Sequence, residues 1–240
     1  MPRPGNGIGF PLSRHVAGVI LAFLAALPAG CSTPFQMSDA HVTSAVPSSS
    51  LDIAVLACEQ VTTFGLVAPA SLQGLSPTVS HALTTALSGA SPPVRAMPMP
   101  DLVNRLTDQE LAGEYATMLS DVARTGILER QRLRRISAAL GSRYVLQPGL
   151  ADFNQALVDK FEVAGLKIVR TRLSTLRLWL QLWDAQTGHL LWESTGEVTV
   201  AAPVVTQEST VALHEIAQTL WSRMIKNDLL GARNGSSPCP

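Results

Sequence analysis

The stretch that decides the fold is STLRLWLQLWDAQTGHLLWESTGEVTV, residues 174–200. Apolar residues alternate with other residues on both sides of DAQTG, and this period of two is that of a β-strand. Two such runs around a glycine-containing turn predict a β-hairpin. One face of its first strand is a row of leucines: Leu176, Leu178, Leu180 and Leu182. If Trp183 pairs near His189, the second strand adds four residues to that face: Leu190, Trp192, Val198 and Val200.

The other face of the predicted hairpin is more polar, and it carries Arg177, Trp179, Gln181, Trp183, Leu191, Glu193 and Glu197. Aromatic residues and arginine are enriched where proteins bind one another. We therefore predict that Trp179, Trp183 and Arg177 contact a partner protein. The alternative is that a loop or the N-terminal tether covers the two tryptophans.

The remaining sequence alternates between strand and helix patterns. Short apolar runs predict strands at 51–57 and 142–153. Apolar stripes with terminal glycines or caps predict helices at 76–89, 107–126, 129–141 and 207–230. For the second of these helices, Thr107 and Glu110 form a capping-box pattern. The predicted fold is α/β: a mixed β-sheet with helices packed mainly on one face, ending in a long β-hairpin and a C-terminal helix.

The first 30 residues have the pattern of a secretory signal peptide, with Arg3 and Arg14 before a short apolar run. The following LPAGC, residues 27–31, resembles the bacterial lipobox. Ala29, Gly30 and Cys31 match it, while Pro28 stands where the pattern usually has leucine. The resemblance implies a lipidated Cys31 that holds the protein to a membrane, and Ser32 after it favours the periplasmic face of the outer membrane. The alternative is an ordinary secretory signal with a chance cysteine.

These features predict four segments. Residues 1–30 form the signal peptide, 31–50 a lipidated cysteine with a flexible tether, 51–230 one α/β domain, and 231–240 a disordered tail. Removal of residues 1–30 takes away two arginines and no acid, so 16 of the 18 basic residues remain against 18 acidic ones. A slightly acidic chain argues against nucleic acid as a partner, because proteins that bind nucleic acids carry an excess of basic residues.

Cys58 and Cys239 are the other two cysteines of the chain. An oxidising envelope compartment permits a disulfide between them, and such a bridge would close a long loop. The alternative is a buried free thiol at Cys58 and an unrelated cysteine in the tail.

Motifs of catalysis are missing from the sequence. It has no P-loop, G-x-S-x-G, HExxH or CxxC pattern. Its histidines are scattered singly, so we predict no metal site, no cofactor and no catalytic residues. Glu193 and Glu197 share a strand face, as a pair of catalytic carboxylates would, but a strand face exposed to solvent is the simpler explanation. The arginines of residues 130–135 are either an exposed helix face or a site for phosphate or an acidic partner.

Two stretches together resemble a family of bacterial envelope proteins. LGSRYVLQPGLADF, residues 140–153, contains Tyr144, Val145, Leu146 and Gly149 of a strand pattern, with Pro148 as a departure. The hairpin contains a second pattern, with Asp184, Thr187, Gly188 and Trp192. Both resemble the group that includes the TolB amino-terminal domain, CsgG and LpoB. The resemblance implies a similar fold over most of residues 51–230.

The function expected from these features is that of a non-enzymatic, lipid-anchored periplasmic adaptor or regulator that binds another cell-envelope protein. The alternative, implied by the resemblance to CsgG, is a subunit of an outer-membrane secretion or assembly channel. Arg177, Glu193 and Glu197 on the second hairpin face weigh against that alternative. An envelope hydrolase is a third possibility, which needs a catalytic constellation that shows no local motif.

Overall fold

Five strands form one mixed sheet in the computed structural model, which describes residues 36–45, 60–91, 94–162, 167–203 and 212–229. The sheet order is β1-β5-β4-β3-β2, in which β2 and β3 are parallel and the other neighbours antiparallel. The strands are β1 Gln36–Ala45, β2 Val61–Thr63, β3 Tyr144–Glu162, β4 Lys167–Asp184 and β5 His189–Pro203.

Five α-helices accompany the sheet: α1 Ser76–Ser88, α2 Met99–Asp108, α3 Ala112–Thr125, α4 Arg130–Leu140 and α5 Leu213–Arg223. A 3₁₀ turn, Ala70–Leu75, precedes α1, and a π-helical turn, Met224–Leu229, continues α5. The Glu129 carboxylate caps α4 by accepting hydrogen bonds from the backbone N–H groups of Gln131 and Arg132. Gly126 and Gly141 end α3 and α4 in the left-handed conformation.

The leucine row of the hairpin forms the centre of one core, as predicted. Leu176, Leu178, Leu180 and Leu182 are fully buried on what we call the first face of the sheet, under α1 and α5. The indole Nε1 of the buried Trp221 on α5 donates to the carbonyl oxygen of Val79 on α1 at 3.2 Å, which fixes the two helices together. The predicted mixed α/β fold, with its long hairpin and C-terminal helix, is confirmed.

A second core lies on the opposite, or second, face of the sheet. It joins Val145 and Trp183 to buried residues of α2, α3 and α4, among them Leu102, Met118 and Ile136. We expected helices mainly on one face, whereas the structure has helices on both. The reason is that the second face is apolar at the end where β3 begins and β4 ends, so it also needs cover there.

The hairpin departs from the expected alternation at Leu190 and Leu191, where its register shifts. Asp184 pairs with His189 and Trp183 with Leu190, but Leu182 pairs with Trp192. The extra residue on β5 is a β-bulge, which reverses the faces of the neighbouring residues. Leu190 therefore packs in the second core and Leu191 against the first, the opposite of what strict alternation predicts. Trp192, Val198 and Val200 lie in the first core as predicted.

Two further stretches differ from their predicted structure. Residues 36–45, expected in the flexible tether, form β1 and pair with β5, whose outer backbone groups would otherwise lack partners. Thr107 lies near the C-terminal end of α2 and caps no helix, because Glu110 has a positive φ of 57° and separates α2 from α3. The predicted strand at 51–57 and the tail at 231–240 lie outside the described residues.

Candidate functional site

The second face of the sheet is covered only in part. Helices α2–α4 cover the end formed by Val145 and Trp183, and the strands continue beyond them. Past this border the side chains become accessible. We call this part of the sheet the open face, and it comprises Asp152, Arg177, Trp179, Thr195 and Glu197.

Trp179 lies at the border of the open face. It is half-buried and packs against the second core from its edge. Its ring lies over Gly149 of β3, its direct neighbour across the strand pair. A Cβ atom built on Gly149 would stand 1.8 Å from Cε2 of Trp179, so only glycine fits beneath the ring. The glycine of the sequence pattern thus positions a tryptophan that was predicted to bind a partner.

Arg177 and Glu197 form an ion pair on the open face. Arg177 Nε donates to Glu197 Oε2 at 2.8 Å, and the two side chains are 54% and 42% exposed. The hydrogen bond to Glu197 raises the pKa of the Arg177 guanidinium, and the nearby charge of Asp152 adds to this effect. Both charged groups remain accessible, which is typical of the polar rim of a protein interface.

Trp183 is buried, although it was predicted to contact a partner. It is only 6% exposed, in the second core, and its Nε1 donates to Gln181 Oε1 at 3.1 Å. Since α2–α4 cover this part of the sheet, Trp183 has almost no surface to offer a partner. Of the three residues predicted to bind a partner, the structure leaves Trp179 and Arg177 accessible.

A polar group marks the border between the helical layer and the open face. Gln181 Nε2 donates to Glu193 Oε1 at 3.1 Å and to the carbonyl oxygen of Gly126 at 3.3 Å. This second bond ties the end of α3 to the sheet. Ile127, which follows Gly126 in the chain, is 62% exposed and adds an apolar side chain where the helical layer ends. The hydropathy pattern gave no reason to single it out.

Three of the four arginines of α4 form bonds that hold the fold together. Arg132 pairs with Asp121 at 2.7 Å, and Arg135 pairs with Glu114 at 3.0 Å, which links α4 to α3. Arg134 Nε donates to the carbonyl oxygen of Gln186 at 2.6 Å, which links α4 to the hairpin turn. These bonds favour the structural explanation of the cluster over a site for phosphate or an acidic partner.

The residues of the second sequence pattern build the hairpin turn. Asp184 is almost fully buried and accepts hydrogen bonds from Arg143 at 3.0 Å and from the backbone N–H of Gln186 at 2.8 Å. Burial raises the pKa of Asp184, but the hydrogen bonds from Arg143, Gln186 and Thr187 outweigh it and hold the pKa below its usual value. Gly188 takes a positive φ of 73°, which glycine adopts without strain.

The other predicted sites are not tested by the geometry. Cys31, Cys58 and Cys239 lie outside the described residues, so lipidation and the disulfide stay predictions. Within the part of the chain that the structure describes, no three His, Cys, Asp or Glu side chains lie close enough to hold a metal ion. None of the described helices combines the length and the apolar character needed to cross a membrane.

One hollow among the described residues has a volume of about 950 Å³. It lies between α1 and the segments that flank β2, and it combines apolar residues such as Phe64 and Met97 with Ser80, His81 and Thr84. The Thr84 hydroxyl donates to the carbonyl oxygen of Ser80 at 3.2 Å, so it is bound within α1.

No protein family model matches the chain, and no curated protein matches it. Solved structures similar to it include the PelC dodecamer from Paraburkholderia phytofirmans, at 15% identity and a TM-score of 0.45, over 82% of this chain and 100% of that one. The lipoprotein GNA1162 from Neisseria meningitidis is similar at 10% identity and a TM-score of 0.40, over 72% and 99%. The LpoB C-terminal domain from Salmonella enterica is similar at 14% identity and a TM-score of 0.36, over 60% and 93%. The resemblance to TolB and CsgG stays a prediction.

Proposed function

We propose that this chain is a non-enzymatic, lipid-anchored protein of the bacterial envelope that binds another envelope protein through the open face. The observation that carries the proposal is the composition of that face. A half-buried tryptophan, Trp179, lies beside an accessible ion pair, Arg177 with Glu197, on a sheet that the helices leave bare. Anchoring aromatic residues surrounded by polar groups are typical of protein interfaces.

The N-terminal sequence supports the location. The lipobox-like LPAGC supplies an attachment point at Cys31, and acyl chains contribute ~0.8 kcal/mol per buried CH₂ to membrane binding. Two or more such chains hold a protein stably at a membrane. We place the chain on the periplasmic face of the outer membrane, because Ser32 follows the cysteine.

A non-enzymatic role is favoured by the chemistry of the described side chains. Glu193 and Glu197 of the hairpin have separate structural partners, Gln181 for Glu193 and Arg177 for Glu197. The sequence shows no catalytic motif. The open face therefore fits recognition of a surface better than chemistry on a small substrate.

Affinity purification of the full chain from membranes of its host tests this proposal. Arg177→Glu places an acid beside Glu197 and removes the exposed cation, so we expect the copurifying envelope protein to be lost. Arg124→Glu is the matched control, because Arg124 is also exposed and paired with a carboxylate but lies on α3. Equal recovery of the partner with both variants would contradict binding through the open face.

A further inference from the structure

The outer half of β3 is a sheet edge with no neighbouring strand among the described residues. Its first residues, Tyr144–Leu146, pair with β2, and Val67 adds a bridge at Gly149. None of the described residues pairs with this side of β3 beyond Leu150, although β3 stays paired with β4 on its other side to Glu162. We call residues 152–159 the outer edge.

The outer edge is accessible along its length. Every one of its residues is exposed except Phe153, which is half-buried. Two adjacent apolar side chains lie near its end, with Leu157 58% exposed and Val158 37% exposed. Exposed backbone N–H and C=O groups beside apolar side chains are a template for another strand.

Residues 152–159 contain none of the residues that usually protect such an edge, and Lys160 follows them directly. Lysine, proline or inward-pointing charges discourage strand addition in natural sheets. Residues 152–159 read DFNQALVD, with no lysine, arginine or proline. The β-bulge of β3 follows Leu150, where the pairing with β2 and Val67 has ended. From Asp152 onward the strand is regular, so no bulge protects the outer edge.

The charge of the outer edge indicates what binds there. Its two charged residues are both acids, Asp152 at one end and Asp159 at the other, and Asp159 also pairs with Arg170 of β4 at 3.0 Å with both side chains exposed. An opposing strand with basic residues at its ends would face these acids, and apolar residues in it would face Leu157 and Val158. Cross-strand pairs of opposite charge stabilise a sheet, and like charges destabilise it.

We propose that the outer edge binds an extended segment of the partner protein as an added β-strand, and that this segment is apolar with basic ends. The inference rests on the proposed function for the existence of a partner and deepens it by naming the form of the bound segment. Backbone hydrogen bonds would supply affinity, and the acid–base contacts at the two ends would supply specificity.

Synthetic peptides test this inference with the full chain in detergent. The first probe is the octapeptide Lys-Val-Val-Thr-Thr-Thr-Val-Lys, and the second carries glutamate at both ends. We expect the lysine peptide to bind at least about tenfold more tightly, since two cross-strand pairs change from attractive to repulsive. Amide hydrogen exchange should slow in residues 152–159 and nowhere else on the sheet edges.

A charge-reversed chain provides the matched comparison. Asp152→Lys together with Asp159→Lys should invert the preference, so that the glutamate peptide binds more tightly. Equal binding of the two peptides, protection outside 152–159, or a peptide-free dimer that protects the same amides would each overturn the proposal. The last result would assign the edge to a second copy of this chain. Since the peptides require neither lipidation nor the partner, their failure would leave the proposed function standing.

Discussion

The ring of Trp179 lies over Gly149 and leaves no room for a Cβ atom at that position. This relationship joins two neighbouring strands, because Gly149 belongs to β3 and Trp179 to the adjacent β4. A glycine that appears in the sequence as part of a strand pattern is required by a side chain of the neighbouring strand.

Gly149→Ala should therefore destabilise the fold by about 1–3 kcal/mol, the usual cost of overpacking. Urea unfolding of the full chain measures this change. Gly113→Ala is the control, because a Cβ at Gly113 meets no atom within 4 Å and the residue lies in α3. In a Trp179→Ala background the cost of Gly149→Ala should fall, since the clashing ring is gone. An unchanged cost in that background would disprove the contact.

Tyr115→Phe should lower the free energy of unfolding by about 1–3 kcal/mol, because it leaves a backbone donor without its acceptor. The N–H of Gly65 donates to the Tyr115 hydroxyl oxygen at 2.7 Å. The edge-to-face contact of the Tyr115 ring with Phe64 would survive the substitution. Denaturant unfolding at neutral pH compares the two chains, and equal midpoints would show that this hydrogen bond contributes nothing.

The same tyrosine predicts a loss of stability at alkaline pH. Burial raises the pKa of Tyr115 to about 12, against the opposing effect of the Gly65 hydrogen bond. Folding raises the pKa of Tyr115 above the value of the unfolded chain, which is near 10. The neutral hydroxyl therefore stabilises the fold below pH 10, and this contribution is lost as the pH rises towards 12. The stability advantage of the natural chain over Tyr115→Phe should therefore shrink over this range. An advantage that stays constant from pH 9 to pH 12 (roughly the window set by these pKa values) would contradict the assignment.

Asp184→Asn should destabilise the chain by about 1.5–3 kcal/mol at neutral pH, the range for hydrogen bonds to charged groups. Because the folded-state pKa of Asp184 is lowered, its contribution is present above the ordinary value of 3.8 and is lost as the pH falls below it. The difference between the two chains should shrink in acid. Asp108→Asn, at an exposed position, is the control and should change stability little at any pH.

Lipidation of Cys31 predicts the mass of the mature N-terminus. Mass spectrometry of protein purified from membranes should find a chain that begins at Cys31 and carries two or three acyl groups. A Cys31→Ser chain should lose both the acyl groups and its membrane association. An unmodified N-terminus at another residue would make the protein a free periplasmic one.

The leucine face was predictable because four leucines at alternate positions of β4 all point to the same side of a strand. The bulge near Leu190 was not, since it depends on tertiary packing, which puts Leu190 in the second core and Leu191 against the first. Helix α2 was not predicted, although the sequence contains signals for it: a proline in its first turn, Asp101 in that same turn, and Leu102 and Leu106 four residues apart.

The candidate site was half predictable. Alternation placed Trp179 and Trp183 on one face, and both do lie on the second face of the sheet. Whether a tryptophan on that face is accessible depends on where α2–α4 end, which is a tertiary property that local sequence does not contain. The outer edge escaped notice for a similar reason, because strand order decides which strand lacks a neighbour.

Site-specific photo-crosslinking in living cells tests binding through the open face most directly. A photoreactive amino acid in place of Thr195, an exposed residue of the open face, should form a crosslink to one envelope protein. The same group in place of Thr84, an exposed residue of α1 on the first-face side of the molecule, should form none to that protein. Crosslinks from Thr84 and none from Thr195 would contradict the account.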